Sequence, residues 1–346
     1  MNELLKQLTE IPGVSGDEKA VRKAIKELIE PHVDEWSVDA MGNLIVLKKG
    51  TGESDLRVML DAHMDEVGFL ITAVDSNGTF KFETVGGFDS RILQGKVLQV
   101  GPKQVTGVIG GKPVHLSSAA ERRKITSSSS MRIDIGASGK DSALSKVKVG
   151  EYATFKTDYQ ELEHVAIGKA FDDRAGCALI IDLMKGDRFP FDLYGTFTVQ
   201  EEVGLRGAHV AAANIKPDVA FVLDCTPAYD LPNKADESPN VALGKGAAIY
   251  VMDRSTIQDP RLISHIMRTA EENDLPFQLR KPGGGGTNTA SVQRSGPGVA
   301  SATVSLPGRY MHGPHSMINL VDYDNTKKLL DAALRGLTKS KFAISD

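Results

Sequence analysis

A chain of 346 residues is longer than one hydrophobic core usually organises, so two structural domains are the expectation. Hydrophobic residues at 41%, charged residues at 25% and a net charge of −4 describe an ordinary globular protein with no basic field for nucleic acid. The N-terminus lacks a basic start before an apolar run, and no stretch reaches the apolar length of a membrane span, so a cytoplasmic protein without membrane or nucleic-acid partners is expected.

In chain order, Ser15-Gly16-Asp17-Glu18 reads as a capping box before Ala20, Val21, Ala24, Ile25, Leu28 and Ile29, whose spacing predicts an amphipathic helix to about Pro31. Short apolar runs at Asn43 to Leu47 and Leu56 to Ala62 suit buried strands. From about Glu66 to Glu161 the texture changes. Strand-like runs at Gly68 to Val74, Thr79 to Val85, Val97 to Val100 and Gln104 to Ile109 are divided by Gly, Asn and Pro turns, with no helical period. This stretch is expected to be a small all-β domain, a barrel, with a long mobile loop at Ser117 to Ser130.

The α/β alternation then returns. Helices are predicted at Ala175 to Met184, Gly207 to Ala213, Asp259-Pro260 to about Asn273, and Tyr323 to Leu337. Strands are predicted at Tyr194 to Val199, Val219 to Leu223 and Val299 to Ser305. An all-β insertion, 66–161, therefore interrupts one α/β domain made of 1–65 and 162–346.

Ligands in open α/β sheets bind at the carboxyl ends of strands. The predicted strands stop at His63 and Asp65, at Glu201 and Glu202, at Asp224 and at His312, and Asp172-Asp173 lies where a strand hands over to a helix. Cys177 and Cys225 sit apart in apolar runs, which leaves nitrogen and oxygen as the ligand atoms for any metal. Two imidazoles with several carboxylates suit hard or borderline divalent ions, and two close ions need a carboxylate that can bridge them. Each fragment alone is more often surface charge or a satisfied core pair; their joint placement at strand ends carries the reading.

Other residues have blander readings. His315 competes with His312 as a ligand, while His32, His115, His164, His209 and His265 lack a carboxylate at ligand spacing. Gly283 to Gly286 could cradle a phosphate, but no Lys-Ser/Thr follows and no clear helix opens, which favours a tight turn beside the site. Cys225 reads as a packed hydrophobe and not a nucleophile.

The motifs Asp61-Ala62-His63-Met64-Asp65-Glu66-Val67-Gly68, Phe171-Asp172-Asp173-Arg174-Ala175-Gly176, Gln200-Glu201-Glu202-Val203-Gly204, Asp224, Gly284-Gly285-Gly286-Thr287 and Arg309-Tyr310-Met311-His312 stand in one order. In that order the whole chain resembles the M42 metallo-aminopeptidases, which include tetrahedral, glutamyl and deblocking aminopeptidases. The resemblance implies a phosphorylase/hydrolase-like α/β catalytic domain with an inserted barrel-like domain. It implies two divalent ions, zinc or cobalt with manganese as the alternative, bridged by Asp172. His63 and Asp224 would complete one ion, and Glu202 and His312 the other. Glu201 is left as the general base, and Asp65 orients His63, a role a ligand imidazole needs in any case. In related enzymes the Asp172-Asp173 peptide is cis, a feature no sequence displays. The family pattern expects Asp at position 288, where this chain has Asn288; if that position helps hold the substrate amine, specificity would differ.

The implied reaction is removal of N-terminal residues from peptides by a water that the cations acidify, with Glu201 carrying the proton. The implied assembly is a barrel-paired dimer, and from dimers a hollow tetrahedral dodecamer open to peptides. Two other readings stand beside it. Relatives have carried an endoglucanase label, but glycosidase acids face each other at roughly 5–9.5 Å, whereas Glu201 and Glu202 are adjacent and the chain has one Trp. A non-catalytic assembly protein of the same fold would be expected to have lost a ligand or the base, and all of these positions are kept.

Overall fold

The computed structural model describes residues 2–231, 241–283 and 285–338. Its larger part is an eleven-stranded mixed sheet. Four parallel strands form the centre, in the order Asp192–Thr198, Arg57–His63, Val219–Pro227 and Ala300–Arg309. Antiparallel strands extend both edges: Glu35–Val38 and Leu44–Lys48 on one side, Ser316–Asn319, Val165–Gly168 and Gln160–Leu162 on the other. A branch of two strands, Ala247–Tyr250 and Phe277–Arg280, leaves Ala300–Arg309.

Side-chain alternation explains why both faces of the centre are covered. Val219, Phe221 and Leu223 join the core beneath the helices Glu3–Glu10, Lys19–Ile29, Phe171–Lys185, Pro260–Glu272 and Leu320–Arg335. Their neighbours Ala220 and Val222 turn the other way, with Met59, towards Ala208, Ala211 and Ala212 of the helix Arg206–Ile215. A side chain such as Phe221, fully buried, contributes about 1.5–3 kcal/mol by leaving water.

The insertion closes into a six-stranded barrel: Gly68–Val74, Phe80–Val85, Arg132–Asp134, Val105–Gly110, Val97–Val100 and Tyr152–Phe155. Phe80 and Phe82 point in while Lys81 and Glu83 point out. Inside, Phe69 packs edge-on against Phe82 and Phe155 and stacks on Phe88. The insertion is not wholly β, however. Within the expected loop, Ser118 and Glu121 cap each other around a helical turn Ala119–Arg122, and a second short helix spans Lys140–Leu144. Turns this short offer no periodicity to read.

Other expectations also need correction. The capping box at Ser15–Glu18 does not form: Glu18 takes the cap position of Lys19–Ile29 without a side-chain bond to it, and Ser15 Oγ donates instead to Asp65. A distant carboxylate outcompeted the local cap. The helix Glu3–Glu10, capped by Asn2, and the edge strand Glu35–Val38 were not anticipated. The strand Ala300–Arg309 runs on past Ser305 and so delivers His312 beyond its end.

Candidate metal centre

Each predicted site residue lies where a strand or helix terminates. His63 closes the strand Arg57–His63, and Asp224 lies near the end of Val219–Pro227. Glu201 and Glu202 follow Asp192–Thr198, and His312 follows Ala300–Arg309. Asp172 opens the helix Phe171–Lys185, where Asp172 and Asp173 have non-helical dihedrals and their shared peptide is cis. The chain turns sharply at three of these points: Ala170, Gln200 and His312 hold φ of 54°, 58° and 55°, a left-handed conformation that non-glycine residues adopt only when their surroundings enforce it.

These side chains converge. His63, Asp172 and Asp224 bring ligand atoms within 4.8 Å of one another, and so do Asp172, Glu202 and His312. The two groups share Asp172. Its Oδ1 lies 3.1 Å from His63 Nε2 and its Oδ2 3.3 Å from His312 Nε2. Glu202 Oε1 is also 3.3 Å from His312 Nε2. A third group, His63, Glu201 and Glu202, overlaps both, with Glu201 Oε2 at 3.9 Å from His63 Nε2. His315 is exposed and belongs to none of the three.

Both imidazoles are fixed from behind, which leaves each Nε2 facing the cluster. His63 Nδ1 lies 3.0 Å from the Asp65 carbonyl and 3.5 Å from its Oδ1. His312 Nδ1 lies 2.9 Å from the carbonyl of Gly87, which the inserted segment supplies. Asp65 does more than orient His63: its Oδ1 accepts the Glu201 amide at 3.0 Å, and its Oδ2 accepts the Glu202 amide at 3.1 Å. No sequence signal marks Gly87, because a backbone carbonyl has no side-chain identity.

Electrostatics follow from crowding. Burial and the charge of Asp172 push Glu202 up to about 8. Burial, then Asp172, Asp173 and Glu201, raise Asp224 well above the carboxylate range. Burial also raises Glu201, with Glu202 adding to it and His63 opposing. Burial alone would make His312 less basic, but its bond to Asp172 and the Glu202 charge outweigh that and carry it up to about 10. The two imidazoles hold Asp172 well below its ordinary value despite its burial. Carboxylates crowded in this way demand nearby positive charge. Divalent ions fit the set, since they neutralise the carboxylates.

The cluster floors a cavity of about 590 Å³. Leu205, Tyr250, Arg254, Arg280 and Thr287 line its walls, with Gly285 and Gly286 from the glycine-rich run. Gly284 lies outside the described residues. Asn288 does not line the cavity: only 2% exposed, it donates Nδ2 to Asp61 Oδ2 at 2.9 Å and to Thr198 Oγ1 at 3.0 Å. An amide donates there where a second carboxylate could do so only if protonated. Cys225 is buried and donates Sγ to the Phe171 carbonyl.

Sequence reasoning missed the supports behind the cluster. Arg174, with no exposed surface, donates to the carbonyls of Met64, Leu8, Ile11 and Gly13. Lys169 and Glu66 form a buried pair at 2.7 Å beside it. Removing one partner from a buried pair of this kind typically costs about 3–5 kcal/mol.

Known proteins resemble this chain in sequence and fold. A model of the M42 glutamyl aminopeptidase family matches residues 42–329. A putative aminopeptidase of Acetivibrio thermocellus is 39% identical over 338 residues, covering 96% of this chain and 98% of its own. The TET aminopeptidase of the marine sediment archaeon Thaumarchaeota archaeon SCGC AB-539-E09 has a TM-score of 0.94 at 34% identity, over 98% of this chain and 97% of that one. The Pyrococcus horikoshii TET1 peptidase, described as able to assemble into a tetrahedron or a large octahedral shell, gives 0.86 at 35% identity, over 97% and 99%.

Proposed function

The chain belongs to the M42 glutamyl aminopeptidase family, a family of peptide hydrolases that use divalent metal, and from that premise we propose that it is a di-metal aminopeptidase with Glu201 as its general base. The observation that carries the proposal is Asp172, whose two oxygens face the Nε2 atoms of two different histidines. His63, Asp172 and Asp224 would hold one ion, and Asp172, Glu202 and His312 the other. Zinc or cobalt suits two nitrogens among carboxylates, with manganese as the alternative.

When bound, the ions supply Lewis acidity, which makes a water nucleophilic at neutral pH and polarises the scissile carbonyl. Glu201, a cavity-lining carboxylate 9% exposed, would take a proton from the attacking water at its carboxylate and return it to the departing amine. Geometry would also admit Glu201 as a ligand beside His63; Asp172 and Asp224 already complete that set and leave it for proton transfer. Asp65 holds His63 and the two glutamates in register. The substrate is a peptide with a free N-terminal amine.

The same reading divides the chain into a catalytic domain, 1–65 with 162–346, and a dimerisation domain, 66–161. Val97, Val108, Val114, Leu116 and Ile125 of the insertion are exposed apolar residues suited to a subunit contact. Dimers then build a tetrahedral dodecamer, by likeness to the TET1 peptidase. A cytoplasmic location agrees with two free, buried cysteines. Among the described residues no helix is long and apolar enough to cross a membrane.

The test is a panel of chromogenic aminoacyl amides after chelation and reloading with zinc, cobalt or manganese. Activity should vanish on chelation, return with metal, and be absent towards N-acetylated peptides. Turnover that survives chelation would overturn the metal mechanism. Light scattering that finds only a monomer under metal-replete conditions would remove the assembly.

A further inference from the structure

Three consecutive amides, those of Gln200, Glu201 and Glu202, end on side-chain carboxylates and not on other backbone groups. Gln200 N donates to Glu18 Oε1 at 3.2 Å, and the next two amides take one oxygen each of Asp65, at 3.0 and 3.1 Å. Gln200 sits in the left-handed region at φ 58°, so this turn is not one the backbone would choose unaided. Its shape depends on what holds the amides.

Both carboxylates are in turn tied to one short N-terminal segment. Ser15 Oγ donates to Asp65 Oδ2 at 2.6 Å, and Gly16 N donates to Glu18 Oε1 at 2.7 Å. Ser15 and Glu18 are each 5% exposed, and Asp65 is fully buried. The segment is anchored: Gly13 N donates to Glu66 Oε1 at 3.1 Å, Glu66 N donates to the Gly13 carbonyl at 2.9 Å, and Arg174 reaches that same carbonyl. A rigid loop from the start of the chain therefore cradles the turn that carries both glutamates.

We propose that the Ser15–Glu18 turn sets the Gln200–Glu202 turn, with Ser15 and Glu18 as positioning residues: Ser15 acts through Asp65, and Glu18 acts directly on the Gln200 amide. The inference rests on the reading of Glu201 as base. Without the Ser15 hydroxyl, Asp65 Oδ2 keeps only the Glu202 amide, while Oδ1 keeps the Glu201 amide and its 3.5 Å contact with His63 Nδ1, so the carboxylate is held less firmly about its last torsion. Rotation carries both amides with it, and so moves the Glu201 and Glu202 side chains. Misplacement of a reacting group by about 1 Å can cost on the order of 10²-fold. Glu201 and Glu202 line the floor of the cavity beside the proposed reacting centre, so the loss is expected chiefly in kcat.

The variants are Ser15→Ala, Ser15→Thr, Glu18→Met and Glu18→Gln in the full-length, metal-loaded enzyme. Ser15→Ala and Glu18→Met are expected to lower kcat about tenfold or more at saturating metal, and to weaken the ion that Glu202 would hold more than the one His63 would hold. Ser15→Thr keeps the hydroxyl and Glu18→Gln keeps an acceptor oxygen, so both should restore most of the rate. Independently of activity, hydrogen exchange read by mass spectrometry should quicken in the peptide spanning Val199 to Arg206, in metal-free as well as metal-loaded protein, while core strands stay protected. Unchanged exchange in that peptide overturns the proposal. So does loosening of the whole protein, which would mark a merely structural role. A fully active Glu201→Gln enzyme would instead remove the assignment of the base, leaving the exchange result to stand by itself.

Discussion

His312 turns its Nδ1 to the carbonyl oxygen of Gly87 at 2.9 Å, so an imidazole at the end of the α/β sheet takes its orientation from the inserted barrel segment. The adjacent Gly86 has φ +87°, and a Cβ there would run into the Val67 side chain. Gly86→Ala should therefore cost about 1–2 kcal/mol in backbone strain and displace the Gly87 carbonyl. Loss of such a support for a ligand histidine typically weakens metal binding by about 10–100-fold. One ion should weaken, the one that His312 would hold in the proposed site. Equilibrium dialysis with metal analysis checks this: equal weakening of both ions, or of neither, would contradict the orienting role.

Asp172 faces both histidines, so in the proposed site both ions would depend on it. Asp172→Asn keeps the shape but removes the charge and one lone-pair oxygen. Elemental analysis of the purified variant should find little of either metal. Two full equivalents per chain would refute the bridging role, and selective loss of one would reduce Asp172 to a ligand of that ion alone.

Arg309 and Asp230 form a two-pronged ion pair, Nε to Oδ1 at 2.6 Å and a terminal nitrogen to Oδ2 at 2.7 Å, which anchors the strand that precedes His312. The Arg309 bond is the chief cause that holds the Asp230 carboxyl below its ordinary range. A depressed folded pKa means the pair's contribution is complete above the unfolded value, about 3.9, and is lost as pH falls through the folded one. Asp230→Asn should cost about 1–2 kcal/mol at pH 7. Urea unfolding of both proteins from pH 7 to pH 3 should show that gap constant down to about pH 5 and closing below. A gap that widens as pH falls would reverse the sign and reject the pair as its source.

Much of the site was legible because parallel strands announce their ends. The buried run Val219 to Leu223 stops being apolar at Asp224, and the run before Glu201 does the same, so polar residues at those boundaries mark one rim of one sheet. What stayed hidden has physical causes. Ser15 reads as a helix cap because sequence shows only its neighbours, whereas Asp65, fifty residues on, offers a buried charged acceptor. Gly87 contributes a carbonyl, which any residue possesses. Arg174 looks like one basic residue in an acidic motif, and only the packed structure reveals four backbone carbonyls around it. The helix Glu3–Glu10 was within reach, since Asn2 at its start and Leu5 and Leu8 at helical spacing are visible.

Glu201 and Glu202 are chain neighbours whose amides share the Asp65 carboxylate and whose carboxylates come within 4.8 Å of each other, yet each approaches a different imidazole. Glu201 Oε2 approaches His63 Nε2 at 3.9 Å, while Glu202 Oε1 approaches His312 Nε2 at 3.3 Å. In the proposed site the two do different work. Glu201→Gln removes the proton carrier and leaves the proposed ligand set intact, so bound metal should barely change while turnover falls by about 10²–10⁴. The upper end is expected, because no other carboxylate lining the cavity is free of a ligand role. Glu202→Gln takes a charged ligand from the ion beside His312; that ion should bind more weakly, and excess cation should recover part of the rate. Turnover and bound metal are to be measured for both variants across one cation titration. Should Glu201→Gln recover with added metal while Glu202→Gln keeps both ions and stays inactive, the two roles are the other way round.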